Sequence, residues 1–283
     1  MSKTAELTTT KQTPLAEARP ERSFVNRYLH SDLTYNGLSL GIFLVLWSLL
    51  AAIAKSPFVP SPAQVWDAFV QLYQVGDVEG YTLKEHISMS IVRILSGFGL
   101  AAAMGIPLGL LMGLNPKIYD RTRSIIEPIR FIPPIAWIPL SIVILMGFSR
   151  YVFLIWLGAF FPIWINTLVS VPRVNPVYLN VGRVFGGDKW LRIRKVVIPS
   201  VLPDITSGMR VGLGMAWMCI VAAEMIGGEG VGVGRLILKY AELLRLPEVV
   251  VGMLIIGVIG FAMNEIILRF EKWMFKWRWE VSI

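Results

Sequence analysis

Few side chains in this sequence are of a type and spacing that could do chemistry. The two histidines, His30 and His86, stand far apart and outside the apolar stretches. Neither histidine-based catalysis nor a metal centre therefore has a partner set. The one cysteine, Cys219, lies inside an apolar segment, so no disulfide can form within the chain. The glycine-rich run from Gly227 to Gly234 is not a phosphate loop, because no Gly-Lys-Ser/Thr follows it and Arg235 stands next to Gly234. There is no Walker sequence and no nucleophile–histidine pair. The chain reads as a non-enzyme with no metal or cofactor of its own.

What remains is one basic stretch and a few polar residues inside apolar segments. The stretch runs from Asn180 to Pro203 and sets Arg183, Lys189, Arg192, Arg194 and Lys195 against a single acid, Asp188. Val181, Val184 and Phe185 precede a Gly186-Gly187 break, and Trp190, Leu191, Ile193 and Val196 follow it. The pattern predicts two short amphipathic helices joined at the glycines, closed by Pro199 and Pro203. Such an element suits docking to a partner: Val184 and Phe185 would fill a groove, and Arg183 and Asp188 would fix the register at its rim. An ordinary charged loop is the plainer reading, and Phe185 could equally pack on the inner ends of the chain's own helices.

The elements around this stretch belong in a membrane. Of the 283 residues, 55% are hydrophobic and only 16% charged, against about a quarter charged in a soluble domain. A net charge of +8 does not indicate nucleic acid, because the basic residues lie between apolar spans rather than on one soluble face. Six spans are expected. The first runs through the charge-free stretch Leu38 to Ala54, after a polar tail over residues 1–36 read as mostly disordered and cytoplasmic. Pro57, Pro60 and Pro62 then break the chain before a short amphipathic helix from Ala63 to Val75. The second span is expected from about Ile87 to Leu114, with Gly105, Gly109 and Gly113 at a spacing that lets helices approach closely. A basic loop should follow from Asn115 to Ile125.

The third segment, about Pro128 to Phe148, contains Pro133, Pro134 and Pro139 and must be bent or broken. In a membrane, freed backbone groups are tolerated only against protein or a watery cavity, so Pro133, Pro134 and Trp137 are candidates for lining a pathway. A kinked packing helix is the alternative. The fourth span runs from Tyr151 to Val171, bent near Pro162, and the fifth from Leu202 to Ile226. A short helix over Leu236 to Leu244 and a sixth span from Val249 to Leu268 follow. Basic and aromatic residues then mark a tail over 270–283. Orientation comes from charge: 19 Lys and Arg fall in the segments placed inside and 6 in those placed outside. That bias puts both termini and the basic stretch in the cytoplasm.

The basic stretch resembles the Glu-Ala-Ala-x3-Gly-x9-Ile-x-Leu-Pro signature of the membrane subunits of ABC importers. Gly186 takes the glycine position, Val196 the isoleucine, Ile198 the leucine and Pro199 the proline, while Asn180 and Val181-Gly182 replace the opening residues. Five further runs resemble the nitrate/sulfonate/taurine/bicarbonate branch: residues 58–62, 130–139, 161–167, 208–217 and 221–226.

That resemblance implies an all-α, polytopic type I importer permease fold, with a transmembrane domain over 37–269 and a coupling element over 178–200. It implies a homodimer in the inner membrane, in contact with lipid, with two cytoplasmic ABC ATPase subunits that bind the ATP and Mg²⁺. An external substrate-binding protein would deliver a small oxyanion, with taurine or another sulfonate ahead of nitrate and bicarbonate. Val181, Arg183, Val184, Phe185, Gly186, Gly187, Asp188 and Pro199 would then couple to the ATPase.

The remaining polar residues in the spans have two readings each. Met215, Trp217 and Met218 could line the pathway or pack between helices. Glu224 could gate the outer mouth or bond across helices. Arg93 and Arg210 could attract an anion, but snorkelling to the interface is the simpler expectation. Asn166 and Thr167 should bond across helices. A self-sufficient secondary transporter would need buried ionisable groups at midplane, and a membrane enzyme would need clustered polar residues in the spans. Neither is evident.

Overall fold

A computed structural model describes residues 32–227 and 230–275. The expected disordered tail over 1–36 lies almost entirely outside these residues, as does most of the tail over 270–283. The described residues are helical, with no strand among them.

The chain divides into two compact units between Ile53 and Ala54. The described part of the first lies within helix α1, Asp32–Ala54, whose last residue falls at the division. Its 20-residue apolar run Tyr35–Ala54 is long enough to cross a bilayer, and its side chains are exposed nearly throughout.

The second unit is built on three long helices. These are α3 (Leu83–Leu114), α6 (Phe148–Ser170) and α9 (Ile198–Ile226). The central member, α6, packs against both of the others. The contact with α3 depends on small residues recurring every fourth position: Gly97, Ala101, Gly105, Gly109 and Gly113. A Cβ at Gly97 would come within 2.5 Å of Ile155 Cβ, one at Gly109 within 2.6 Å of Thr167 Cβ, and one at Gly113 within 2.7 Å of Val171 Cβ. The glycine spacing thus serves helix packing, as expected, and the partner is the fourth span. On the other side, a Cβ at Gly208 would meet Asn166 Cβ at 2.7 Å, and one at Gly212 the Ala159 carbonyl at 3.0 Å. These two glycines therefore face α6 and not an open pathway, while the surroundings of Gly214 are open.

The other elements surround this core. Helix α2 (Pro62–Gln74) starts at a capping box between Ser61 and Gln64 with Pro62 in its first turn, and it buries Val65, Ala68 and Leu72. Helix α10 (Val233–Glu242) is amphipathic and packs between α9 and α11 (Leu246–Met274). Residues expected as a loop after Asn115 instead form α4, Pro116–Arg130, with Pro116 at its first position. The third segment is broken, as its prolines require. Helix α4 is followed by a 3₁₀ turn, Pro134–Trp137, and the short helix α5, Ile138–Ile144, with a bend of 82° at the break. Among the described residues, five helices are long and apolar enough to span a membrane, or six when the bent pair is counted as one span.

The second half of the basic stretch departs most from expectation. Helix α7, Pro176–Val184, and helix α8, Lys189–Arg192, flank the glycines. But α8 does not end at the prolines. It continues through a π-turn, Ile193–Val197, directly into α9, giving one run of 38 residues from Lys189 to Ile226. A proline inside a helix collides with the carbonyl four residues back and lacks an N–H. For Pro199 that carbonyl belongs to Lys195. The wider π-turn, closed by the Ile198 N–H donating to the Ile193 carbonyl, makes room for the ring.

Candidate functional site

Helix α7 starts at Asn175, whose Oδ1 accepts from the Val177 N–H at 2.9 Å, and Pro176 supplies a preset first position. Its other end is a Schellman motif. The Gly186 N–H donates to the Arg183 carbonyl at 2.9 Å and the Gly187 N–H to the Gly182 carbonyl at 2.9 Å. The two glycines are needed for different reasons. Gly186 has φ +74°, in the left-handed region, with open space around it. At Gly187, a Cβ would come within 2.6 Å of the Gly182 carbonyl oxygen. Asp188 then caps α8, its Oδ1 accepting from the Leu191 N–H at 2.7 Å.

This turn presents Val184 and Phe185 at 86% and 85% exposure. Phe185 is therefore not packed on the chain's own helices. Val181 and Pro199 share a groove of about 420 Å³ with Tyr178, Gly182, Lys195 and Val196. Arg183 lies in the last turn of α7, directly before the exposed pair.

The residues considered for a pathway fall in separate places. Pro134 and Met215 line one cavity of about 330 Å³ between the broken segment, α6 and α9, and Arg130 and Asn166 are its polar members. Asn166 bonds within its own helix, Nδ2 to the Pro162 carbonyl at 2.8 Å, and Thr167 likewise to the Ile163 carbonyl. Pro133 caps the 3₁₀ turn, and Trp137 packs edge-on against Phe153 beside the core. Trp217 and Met218 line a different cavity of about 240 Å³, between α9 and α11, together with Arg210. Arg210 forms an ion pair with Glu271 near the end of α11.

Glu224 belongs to a buried ion lattice at the far end of α9, roughly 50 Å along the helical run from Lys189 at about 1.5 Å per residue. It is 1% exposed and Arg93 is 2% exposed. Arg93 Nη1 donates to Glu224 Oε1 at 2.9 Å and to the Val231 carbonyl at 2.8 Å, and its guanidinium lies 3.9 Å from the centre of the Tyr151 ring. Glu224 also accepts from Ser90 Oγ and from the Gly234 N–H. Next to it, Lys239 Nζ contacts Asp77 Oδ2 at 2.6 Å and Glu79 Oε2 at 2.9 Å. His86 lies between, with Nε2 3.3 Å from Asp77 and Nδ1 3.0 Å from the backbone of Gly232. Arg93 does not snorkel. It ties α3 to α9 and to the backbone that leads into α10.

Residues 105–278 match the family described as binding-protein-dependent transport system inner membrane component. The chain belongs to that family. It is the permease subunit of an ABC importer and not an enzyme. A putative ABC transporter permease of Methanocaldococcus jannaschii is 38% identical over 237 residues, 83% of this chain and 88% of that protein. The nitrate import permease NrtB of Synechocystis is 32% identical over 83% of this chain and 86% of its own length. The taurine transport system permease TauC of Escherichia coli is 30% identical over 90% and 93%.

Within this permease, sequence reasoning missed Asp77, Ser90, His86 and Lys239 as members of one lattice, and Arg130 as a cavity residue. The available signal was weak. Arg93 and Glu224 are unlike charges near corresponding ends of two apolar spans, which is the mark of a buried pair. No spacing links residues as far apart as Asp77 and Lys239.

Proposed function

We propose that this permease subunit pairs with a second copy to form the pathway of an ATP-driven importer for a small oxyanion, with taurine or another sulfonate ahead of nitrate and bicarbonate. The observation that carries the mechanism is the exposed Val184–Phe185 pair, presented on a turn that requires both glycines. An apolar pair held out from a basic surface suits a groove on a partner protein. That partner would be a cytoplasmic ATPase, two copies per dimer, which binds the ATP and Mg²⁺. Val181, Arg183, Gly186, Gly187, Asp188 and Pro199 shape the same surface. Both termini would face the cytoplasm of the inner-membrane cell, on the 19-to-6 bias of basic residues. An external binding protein would deliver the anion on the other side. The nitrate and taurine relatives support the oxyanion class.

The test is uptake into proteoliposomes holding this chain with its ATPase and binding protein. Taurine should accumulate only with ATP, and nitrate and bicarbonate should not. Failure to accumulate any of the three would overturn the reading. For orientation, Lys189→Cys in a Cys219→Ser background should resist an impermeant thiol reagent added outside intact cells. Labelling from outside would invert the topology.

A further inference from the structure

The cavity beside the broken third segment has a chemistry of its own. Its volume of about 330 Å³ is at the low end of the roughly 300–1,000 Å³ usual for small-molecule sites, which suits a ligand of few atoms. Its polar members are Arg130 and Asn166, and the rest of the lining is apolar side chains, glycine and proline. Phe161, Ile165, Leu157, Val211 and Met215 supply the apolar surface. A cavity with one cation and an apolar wall fits an anion with a hydrocarbon part better than a bare inorganic anion, which would leave that wall unused.

Arg130 is held without being saturated. Its Nη2 donates to Glu127 Oε2 at 2.6 Å, and Glu127 Oε1 in turn accepts from Tyr119 at 2.7 Å. A guanidinium has five N–H donors. Its Nε is buried and has no acceptor among the described residues. Glu127 therefore fixes one edge of the group and competes, by charge, with any anion that approaches the rest. The backbone break next to Arg130 is of the kind tolerated in a membrane only against protein or a water-filled cavity.

We infer that this cavity is a transit site for an organic anion with a short apolar body, a sulfonate in chemical class, with Arg130 as its charge contact and Glu127 as the competitor that keeps binding weak. The inference rests on the oxyanion-permease reading above. It adds a site, and a reason for the permease itself to distinguish alkylsulfonates from nitrate and bicarbonate.

The test is calorimetric titration of the full-length protein in phosphatidylcholine nanodiscs with methane-, ethane- and butane-1-sulfonate, and with nitrate. Affinity should rise about fourfold per added methylene, the gain expected for burying each one. Nitrate should bind at least tenfold more weakly than butane-1-sulfonate. Arg130→Gln should weaken butane-1-sulfonate tenfold or more, and Arg130→Lys much less. Glu127→Gln should tighten it severalfold. Val211→Trp should abolish the chain-length gain.

Several outcomes would overturn the site. Affinity could be independent of chain length. Arg130→Gln and Glu127→Gln could shift binding in the same direction, as expected of a purely structural ion pair. Binding could appear only after phospholipid is stripped away, placing a lipid in the cavity. Val211→Cys copies in a Cys219→Ser background could form a disulfide that butane-1-sulfonate does not slow, giving that face to a second copy. ATP-driven uptake by the wild type alongside failed titrations would sink the site alone. Titrations that follow the pattern without any ATP-driven uptake would sink the transport reading and leave the site standing.

Discussion

Glu224→Gln should destabilise this permease far more than a change of two atoms suggests. The substitution keeps the shape and one carbonyl oxygen, so the Gly234 N–H and Ser90 hydroxyl still have an acceptor. It removes the counter-charge of Arg93, which is 2% exposed. Breaking a buried ion pair from one side costs about 3–5 kcal/mol, because the other charge stays buried. The contacts of Arg93 with the Val231 carbonyl at 2.8 Å and the Tyr151 ring at 3.9 Å survive, so the low end, about 3 kcal/mol, is expected. For a unit of this size, about 2–4 °C is lost per kcal/mol, giving a fall of about 6–12 °C in midpoint.

The assay is thermal unfolding of the purified protein in detergent, followed as loss of the monodisperse peak. A second variant isolates the charge effect. Arg93→Met combined with Glu224→Gln removes both charges and keeps the acceptor for Gly234, so it should recover at least half of the loss. A midpoint for Glu224→Gln within about 2 °C of wild type would refute the reasoning, as would a double variant no better than the single one. Either would mean that water reaches the pair.

Gly109→Leu should abolish folding, because even a Cβ there lies 2.6 Å from Thr167 Cβ and 2.8 Å from the Trp164 carbonyl oxygen; recovery of a monodisperse, detergent-soluble protein would contradict this. Phe185→Asp should leave the midpoint unchanged, since the ring is 85% exposed, yet weaken ATPase pull-down. Gly186→Ala should cost about 1 kcal/mol through its positive φ alone. Asp77 lies outside the spans. Burial pushes its carboxyl up, but the Lys239 ammonium and the N–H groups of Tyr81 and Glu79 outweigh it and hold it below the ordinary value of 3.8. A lowered carboxylate contributes stability above its unfolded value and loses it as pH falls through the folded one. Because His86 Nε2 lies 3.3 Å from the carboxylate and titrates with it, the comparison is made in a His86→Gln background: there the gap in midpoint between Asp77 and Asp77→Asn should be constant above about pH 5 and close as pH falls below about 4; a gap that widened in acid would reverse the sign of the argument.

The sequence showed the apolar spans, the proline-broken third segment and the close-packing glycines because each depends on local chemistry. Length and hydropathy define a span. Proline forces a break wherever it lies. Glycine at every fourth position can only be a surface for close approach, although the sequence could not say that α6 fills it. What it could not show was any feature depending on which ends meet in space. Lys239 looks like one more cation in an outer segment until α10 folds back and sets it on Asp77. Arg130 looks like a charge at the start of the broken third segment until α4 forms and carries it to the side of Phe161 and Met215. Gly208 and Gly212 carry no such local signal of which helix they meet, and it is α6 that lies against them.

The prolines of the basic stretch show how a local rule can be right about the chemistry and wrong about the consequence. Pro199 and Pro203 were expected to end a helix, since each deletes a hydrogen bond and crowds a carbonyl. Both rules apply, but a π-turn over Ile193–Val197 makes room for the Pro199 ring and the helix continues. An unbroken run of 38 residues from Lys189 to Ile226 results. It begins three residues beyond Gly186, at the exposed Val184–Phe185 turn, and ends two residues beyond Glu224 in the ion lattice. An α-helix resists bending except where its ladder is interrupted. Within this run the interruptions are the π-turn and the two prolines, all confined to residues 193–203. Above them the ladder is complete, and Gly208 and Gly212 press it against α6. A displacement applied to the helix at Lys189 would thus be taken up over those residues or else be carried to Glu224, where Arg93, Ser90 and the Gly234 N–H resist it.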